Sequence, residues 1–204
     1  MGIVFASFST SLDGFIARPD NHVGPLFDWY WNGDVEVTPP GYPITFHMTA
    51  ASAAYWKEVS TEGAFITGRR LFDFTSGWGG SPPNDSPTFV LTHRPPPADW
   101  PPRPDAPFTF VNDLESAMTQ AKEAAGDGDI GVAGPNVAQQ CLNAGLLDEV
   151  RIDLVPVLLG SGIRYFDHLD EEVGFEDPIV VEGNRVTHLR YRVKKGQCPA
   201  SEVR

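Results

Sequence analysis

The chain has 204 residues, 41% of them hydrophobic and 11% aromatic, with a formal net charge of −12. That length supports one good core and falls short of two domains, and the composition excludes a disordered chain. The acidic balance excludes a nucleic-acid surface, which needs clustered Lys and Arg, and it makes the position of each basic residue informative. The two cysteines, Cys141 and Cys198, sit far apart and suggest neither a metal site nor a disulfide framework. Met1 to Phe8 carry no basic leader and no apolar stretch of spanning length, so a reducing cytoplasm is the expected setting.

Val4 to Phe8 reads as a strand, followed by the loop Ser11-Leu12-Asp13-Gly14-Phe15-Ile16-Ala17. Residues 18–44 are rich in Pro, Gly and aromatics, with Phe27, Trp29, Tyr30 and Trp31 bunched together. So long an irregular segment is a packed lid or a functional loop, and its aromatics suit either a local core or a flat ligand. A helix is predicted over 46–59. Ala64 to Thr67 is a short buried strand ending at Gly68, where another helix starts. Thr88 to Thr92 is the next strand. Seven prolines between Pro95 and Pro107 exclude helix and central strand, which predicts an extended surface loop. Phe108 to Val111 is again a strand. Asn112 then stands as a helix cap, with Glu115 completing a capping box. Leu114, Ala117, Met118, Ala121 and Ala125 share one helical face as a core stripe, and Gly126 ends that helix.

Gly126-Asp127-Gly128-Asp129-Ile130-Gly131 matches a dinucleotide fingerprint letter for letter. It follows a helix and precedes a strand, however, the reverse of what a dinucleotide-binding turn requires. The stretch Val132-Ala133-Gly134-Pro135-Asn136-Val137-Ala138 is more informative. It reads as a buried strand, a tight glycine turn and a helix over 136–144. Free N–H groups and the helix dipole at such a start can hold a phosphate. Gly134 lets a ligand approach the backbone and Pro135 suits the first turn. An ordinary strand-to-helix turn would look the same. Beyond it come a strand at Glu149 to Val155, a glycine loop at Leu158 to Gly162, and a hairpin from Ile179 to Val193 turning near Gly183-Asn184. Arg190, Arg192, Lys194 and Lys195 read as a solvated strand face. Alternating strands and helices give an α/β layered domain, and the closing hairpin makes its sheet mixed.

Three strand ends combine. Gly68-Arg69-Arg70 follows one, Thr92-His93-Arg94 a second, and Ala133-Gly134-Pro135-Asn136 a third. Ligands of α/β sheets bind beyond the carboxyl ends of strands. Two ends bring basic side chains and one brings bare backbone donors, the division of labour that a dinucleotide with an extra phosphate needs. Surface solvation explains any one of these arginines equally well.

Taken in order, Ser11 to Ala17, Gly68-Arg69-Arg70-x-Phe72, Val90-Leu91-Thr92-His93-Arg94, the Ala133-Gly134 turn with Gly145-Leu146-Leu147-Asp148-Glu149, and Pro156 to Gly162 resemble the reductase domain of bifunctional riboflavin-biosynthesis deaminase-reductases. Stand-alone relatives of that domain share the dihydrofolate reductase fold. The resemblance runs from about residue 3 to 193. It implies a dihydrofolate reductase-like three-layer α/β fold, its mixed, mostly parallel sheet flanked by helices, as one domain over 1–196 with a tail at 197–204. It also implies NADPH as hydride donor, a homodimer, and a small pterin- or ribosylaminopyrimidine-like substrate.

Carried over by position, Gly68, Arg69 and Arg70 stand over the adenosine-side phosphates and Thr92, His93 and Arg94 at the 2′-phosphate. Ala133 lies in the turn, where the family often has glycine, and Gly134, Pro135, Asn136, Val137 and Ala138 hold the pyrophosphate. Ala6, Ile16 and Ala17 border the nicotinamide. Asp13 lies at the active-site mouth, as proton donor or as turn cap. No H-x-E with P-C-x-x-C is present, so no deaminase zinc site is expected. Glu58 is the only acid in the 46–59 helix, where folate reductases carry a pterin-pairing carboxylate. A non-catalytic nucleotide-binding protein and a flavin-linked or structural homodimer stand as the other readings.

Overall fold

The computed structural model describes residues 2–41 and 44–195; the tail expected at 197–204, with Cys198, lies outside the described residues. The chain opens with β1 (Val4–Ser11) and β2 (Phe15–Ala17), then β3 (Val35–Val37), β4 (Phe46–Met48) and α1 (Ala50–Val59). Next come β5 (Glu62–Gly68), α2 (Arg69–Phe74), β6 (Thr88–Leu91), β7 (Phe108–Val111) and α3 (Leu114–Ala125). The last third holds β8 (Asp129–Ala133), α4 (Pro135–Asn143), β9 (Glu149–Val155), β10 (Ile163–Arg164), β11 (Ile179–Gly183) and β12 (Val186–Arg192).

Eight strands form one sheet in the order β11-β12-β9-β1-β8-β5-β6-β7. Strands β9 through β7 run parallel, and the hairpin β11–β12 adds its two strands antiparallel at the β9 edge. The architecture is the mixed, mostly parallel α/β layering that the strand–helix alternation implies. Both faces of the central strands are covered, so Val4, Phe5 and Ala6 are all buried despite pointing alternately to opposite sides. One apolar core packs Ala117, Met118 and Ala121 of α3 and Val137, Cys141 and Leu142 of α4 onto the sheet. A second core gathers Leu26, Trp29, Tyr30 and Met48 on the other face.

Four local details differ from the sequence reading. Phe46–Met48 is a strand paired with β3, and the helix begins only at Ala50, because Thr49 caps it by accepting the Ser52 N–H. The cap of α3 is Asp113 rather than Asn112: extended at φ −142°, it turns its carboxylate onto the Ser116 N–H at 2.7 Å. The 18–44 segment contains a 3₁₀ helix over Gly24–Trp31. Arg190 is no solvated residue; its guanidinium reaches Glu149 and Glu58.

Candidate active site

A cleft of about 1180 Å³ runs across the carboxyl ends of β5, β6 and β8 and down onto the floor made by β1 and β9. Its upper wall is formed by strand ends singled out in the sequence. Thr67 of β5 pairs with Ala133 of β8, so the turns at Gly68 and Gly134 lie side by side. A Cβ on Gly134 would sit 3.6 Å from the Gly68 N, and Gly134 adopts φ +95°, a conformation that favours glycine. Pro135 is the first residue of α4, and no side chain caps that helix, so its leading N–H groups remain free for an anion.

The basic side chains of this wall are braced. Arg69 Nε donates to Asp73 at 2.6 Å and its Nη1 to the Pro95 carbonyl at 2.7 Å. Arg94 donates to the other Asp73 oxygen at 2.9 Å. Partial burial raises the Asp73 carboxyl, but the hydrogen bonds and charges of the two arginines outweigh it and hold the group below its ordinary value. Arg70 donates to Asn21 at 2.9 Å, tying the 18–44 segment to the start of α2.

Most residues named from the sequence meet here. Ile16, Ala17, Gly68, Arg69, Arg70, Thr92, His93 and Ala133 to Val137 all line the cleft. Ala6 and Ala138 are fully buried beneath it, and Arg94 stands outside its lining, 62% exposed, joined to it through Asp73. Asp13 is also outside the lining. Its carboxylate accepts the Ser11 hydroxyl at 2.6 Å and the N–H groups of Leu159 and Gly160 at 3.1 and 2.7 Å. The Ser11 bond, chiefly, lowers its pKa to about 2. A carboxyl so held has no proton to give at neutral pH. These bonds match the turn-cap alternative: Asp13 fastens the loop after β9 to the turn after β1.

The floor holds residues that sequence reasoning passed over. On β1, Ser7 and Ser9 pair with Arg151 and Asp153 of β9, and His188 of β12 pairs with Asp153. Arg151 is buried, with Nε on Glu149 at 2.6 Å, Nη1 on the Val59 carbonyl at 2.8 Å, and its guanidinium 3.5 Å from the Phe5 ring centroid. Asp153 is buried against His188, and both Arg151 and Asp153 line the cleft. Burial pushes the Tyr30, Tyr55 and Glu62 groups bordering this floor toward their neutral forms. The aromatics of the 24–31 segment divide. Trp29 is core, donating its indole N–H to Ser9 at 3.0 Å, while Phe27, Tyr30 and Trp31 line the cleft. Glu58 points elsewhere: it is exposed, pairs with Arg190 and does not line the cleft.

A mixed eight-stranded sheet with a cleft over the carboxyl ends of its parallel strands defines the dihydrofolate reductase-like class, and comparison with solved structures agrees. A protein provisionally assigned to riboflavin biosynthesis in Shewanella sp. PV-4 superposes with a TM-score of 0.66 at 21% identity, covering 95% of this chain and 99% of that one. Dihydrofolate reductase from Enterococcus faecalis, solved with NADP(H), gives 0.55 at 18% identity over 95% and 98% of the two chains. RibD from Acinetobacter baumannii gives 0.59 at 16% identity, covering 95% of this chain and 58% of that one. No curated protein matches the sequence significantly. Within the class, residues 3–189 match the RibD C-terminal domain, and the chain belongs to that family. Among the described residues, no helix is long and apolar enough to cross a membrane.

Proposed function

We propose that this chain is an NADPH-dependent reductase of a small polar substrate with a C=O or C=N bond, pterin- or ribosylaminopyrimidine-like, working as one domain over 1–196. One observation carries the reading. Two uncapped turns, Gly68 and Gly134, open side by side onto a cleft rimmed by Arg69, Arg70, Thr92 and His93, and that cleft continues to a buried polar floor.

Family membership and the NADP(H) of the Enterococcus enzyme support a nicotinamide cofactor. The residues present suit one. Free N–H groups of α4 at Asn136 and Val137 fit the pyrophosphate, and Arg69, Thr92, His93 and Arg94 fit a 2′-phosphate. When bound, the cofactor supplies the hydride. Ile16 and Ala17 give the nicotinamide end an apolar wall, and the aromatic side chains beyond it exclude water. The same reading includes a homodimer in the cytoplasm. Apolar Ile179 and Val180, more than half exposed on edge strand β11, support the dimer, which light scattering measures directly.

Calorimetric titration with NADPH and NADH tests the reading. NADPH is expected to bind at least tenfold tighter than NADH, with that preference lost in Arg94→Ala. Failure to bind either nucleotide sinks it. Tight NADPH binding with no substrate ever oxidising it would favour the non-catalytic alternative.

A further inference from the structure

Asp73 stands between two arginines of the upper wall. It lies on α2 one turn after Arg69, and both of its carboxylate oxygens are taken. Oδ1 accepts from Arg69 Nε at 2.6 Å and Oδ2 from Arg94 Nη2 at 2.9 Å. Its carboxyl is held below the ordinary value, so it carries its charge at neutral pH. Two guanidinium groups and one carboxylate therefore share this corner, and half of the positive charge there is already answered inside the protein. Asp113, the carboxylate that lines the cleft nearby, is used differently: it caps α3 through the Ser116 N–H at 2.7 Å.

Neither arginine depends on that carboxylate for its place. Arg69 is 14% exposed, its Nη1 donates to the Pro95 carbonyl at 2.7 Å, and its guanidinium lies 5.9 and 6.0 Å from the ring centroids of Phe72 and Phe110. The backbone of Arg94 is set by its own N–H, which donates to the Thr92 hydroxyl at 3.1 Å. What Asp73 adds is one ion pair to a largely exposed side chain, and such pairs contribute little. Its cost to an anionic ligand is larger. The guanidinium N–H groups it occupies are donors a phosphate would take, and the carboxylate repels a dianion seated among them. A ribose 2′-hydroxyl carries no charge to repel. The carboxylate therefore penalises a nucleotide that has the extra phosphate and spares one that lacks it.

We propose that Asp73 sets how strongly this site prefers NADPH to NADH. By holding Arg69 and Arg94 it blunts their pull on a 2′-phosphate, and its removal sharpens the preference. The proposal rests on the reductase reading for the identity of the nucleotide and adds to it a determinant that opposes the arginines.

The test titrates wild type, Asp73→Asn, Asp73→Ser and Asp73→Glu by calorimetry with NADPH and NADH. Adenosine 2′,5′-bisphosphate and adenosine 5′-monophosphate, which differ only in the 2′-phosphate, serve as probes of the adenosine end alone. Asp73→Asn and Asp73→Ser are expected to tighten NADPH and the bisphosphate by about three- to tenfold, the range of an exposed contact between a carboxylate and a phosphate dianion. NADH and the monophosphate should stay within about twofold, and Asp73→Glu should restore wild-type behaviour. Bisphosphate affinity of the Asn variant should also fall more steeply with salt, because a more positive wall is screened more. A purely structural role would instead lower the melting temperature and weaken all four ligands together, which overturns the proposal. So does an NADPH affinity that both neutral variants leave unchanged or reduce while wild type prefers NADPH; the reductase reading then stands without it. Wild-type protein that binds neither NADPH nor NADH removes the reading and the proposal together.

Discussion

The two halves of the cleft place charge in opposite ways. On the upper wall, Arg70 lies in the first turn of α2 and His93 and Arg94 just after β6; all three are exposed, and Arg70 and Arg94 each donate to one side chain, Asn21 and Asp73. On the floor, Glu149, Arg151 and Asp153 lie inside a strand that is covered on both faces, and each is at least 95% buried. A charge at a turn keeps its water and is available to a ligand; a charge in a covered strand must find its partners within the protein. The first half can therefore be altered one residue at a time. The second behaves as a unit.

The sharpest contrast comes from Arg151→Met, which leaves Glu149 buried beside Arg190 alone and is expected to destabilise the fold by about 3 kcal/mol. Urea unfolding measures it, and adding Glu149→Gln should recover more than half of the loss. Gly134→Ala comes next, at about 1–3 kcal/mol, because its φ of +95° strains any side chain. An unchanged urea midpoint there would mean the turn relaxes. Asp13 acts through pH. Its folded pKa of about 2 lies below the ordinary carboxylate value of 3.8, so its contribution is full above pH 3.8 and disappears as pH falls through 2. Asp13→Asn should flatten that part of the stability profile and lower the melting temperature at neutral pH. Arg94→Ala stands at the small end: 62% exposed, it should change stability by less than about 0.5 kcal/mol, and a larger drop would erase the contrast between the halves.

The same contrast explains what was legible in the sequence. Gly68, Arg69, Arg70, Thr92, His93 and Gly134 were readable because strand-to-turn boundaries announce themselves through glycine and a change in hydrophobic pattern. Glu149-Val150-Arg151-Ile152-Asp153 alternates polar with apolar, the signature of a strand with one solvated face, and only the helix lying over that face makes it interior. His188 and Tyr55 reach the floor from elements 35 and 98 residues away from Asp153, and no spacing rule connects them. Phe46–Met48 reads as helix in the sequence because its pairing with β3 is local to a segment whose Pro and Gly content hides strand periodicity. The sheet and its helices were otherwise visible, since their apolar periods repeat through the chain.

The position of β1 also constrains how the molecule is made. The first strand of the chain is the middle of the sheet, gripped by β8 on one side and β9 on the other. Its entry is tied to Asp129 and Asp148, contacts that span 126 and 144 residues. During synthesis this apolar strand emerges long before either neighbour exists. Folding that depends on such distant pairings is slow, and the waiting strand is exposed to wrong partners. Nascent chains stalled before Asp148 should therefore remain protease-sensitive at their N-terminus, protected only once β9 has left the ribosome and the sheet can close around its oldest member.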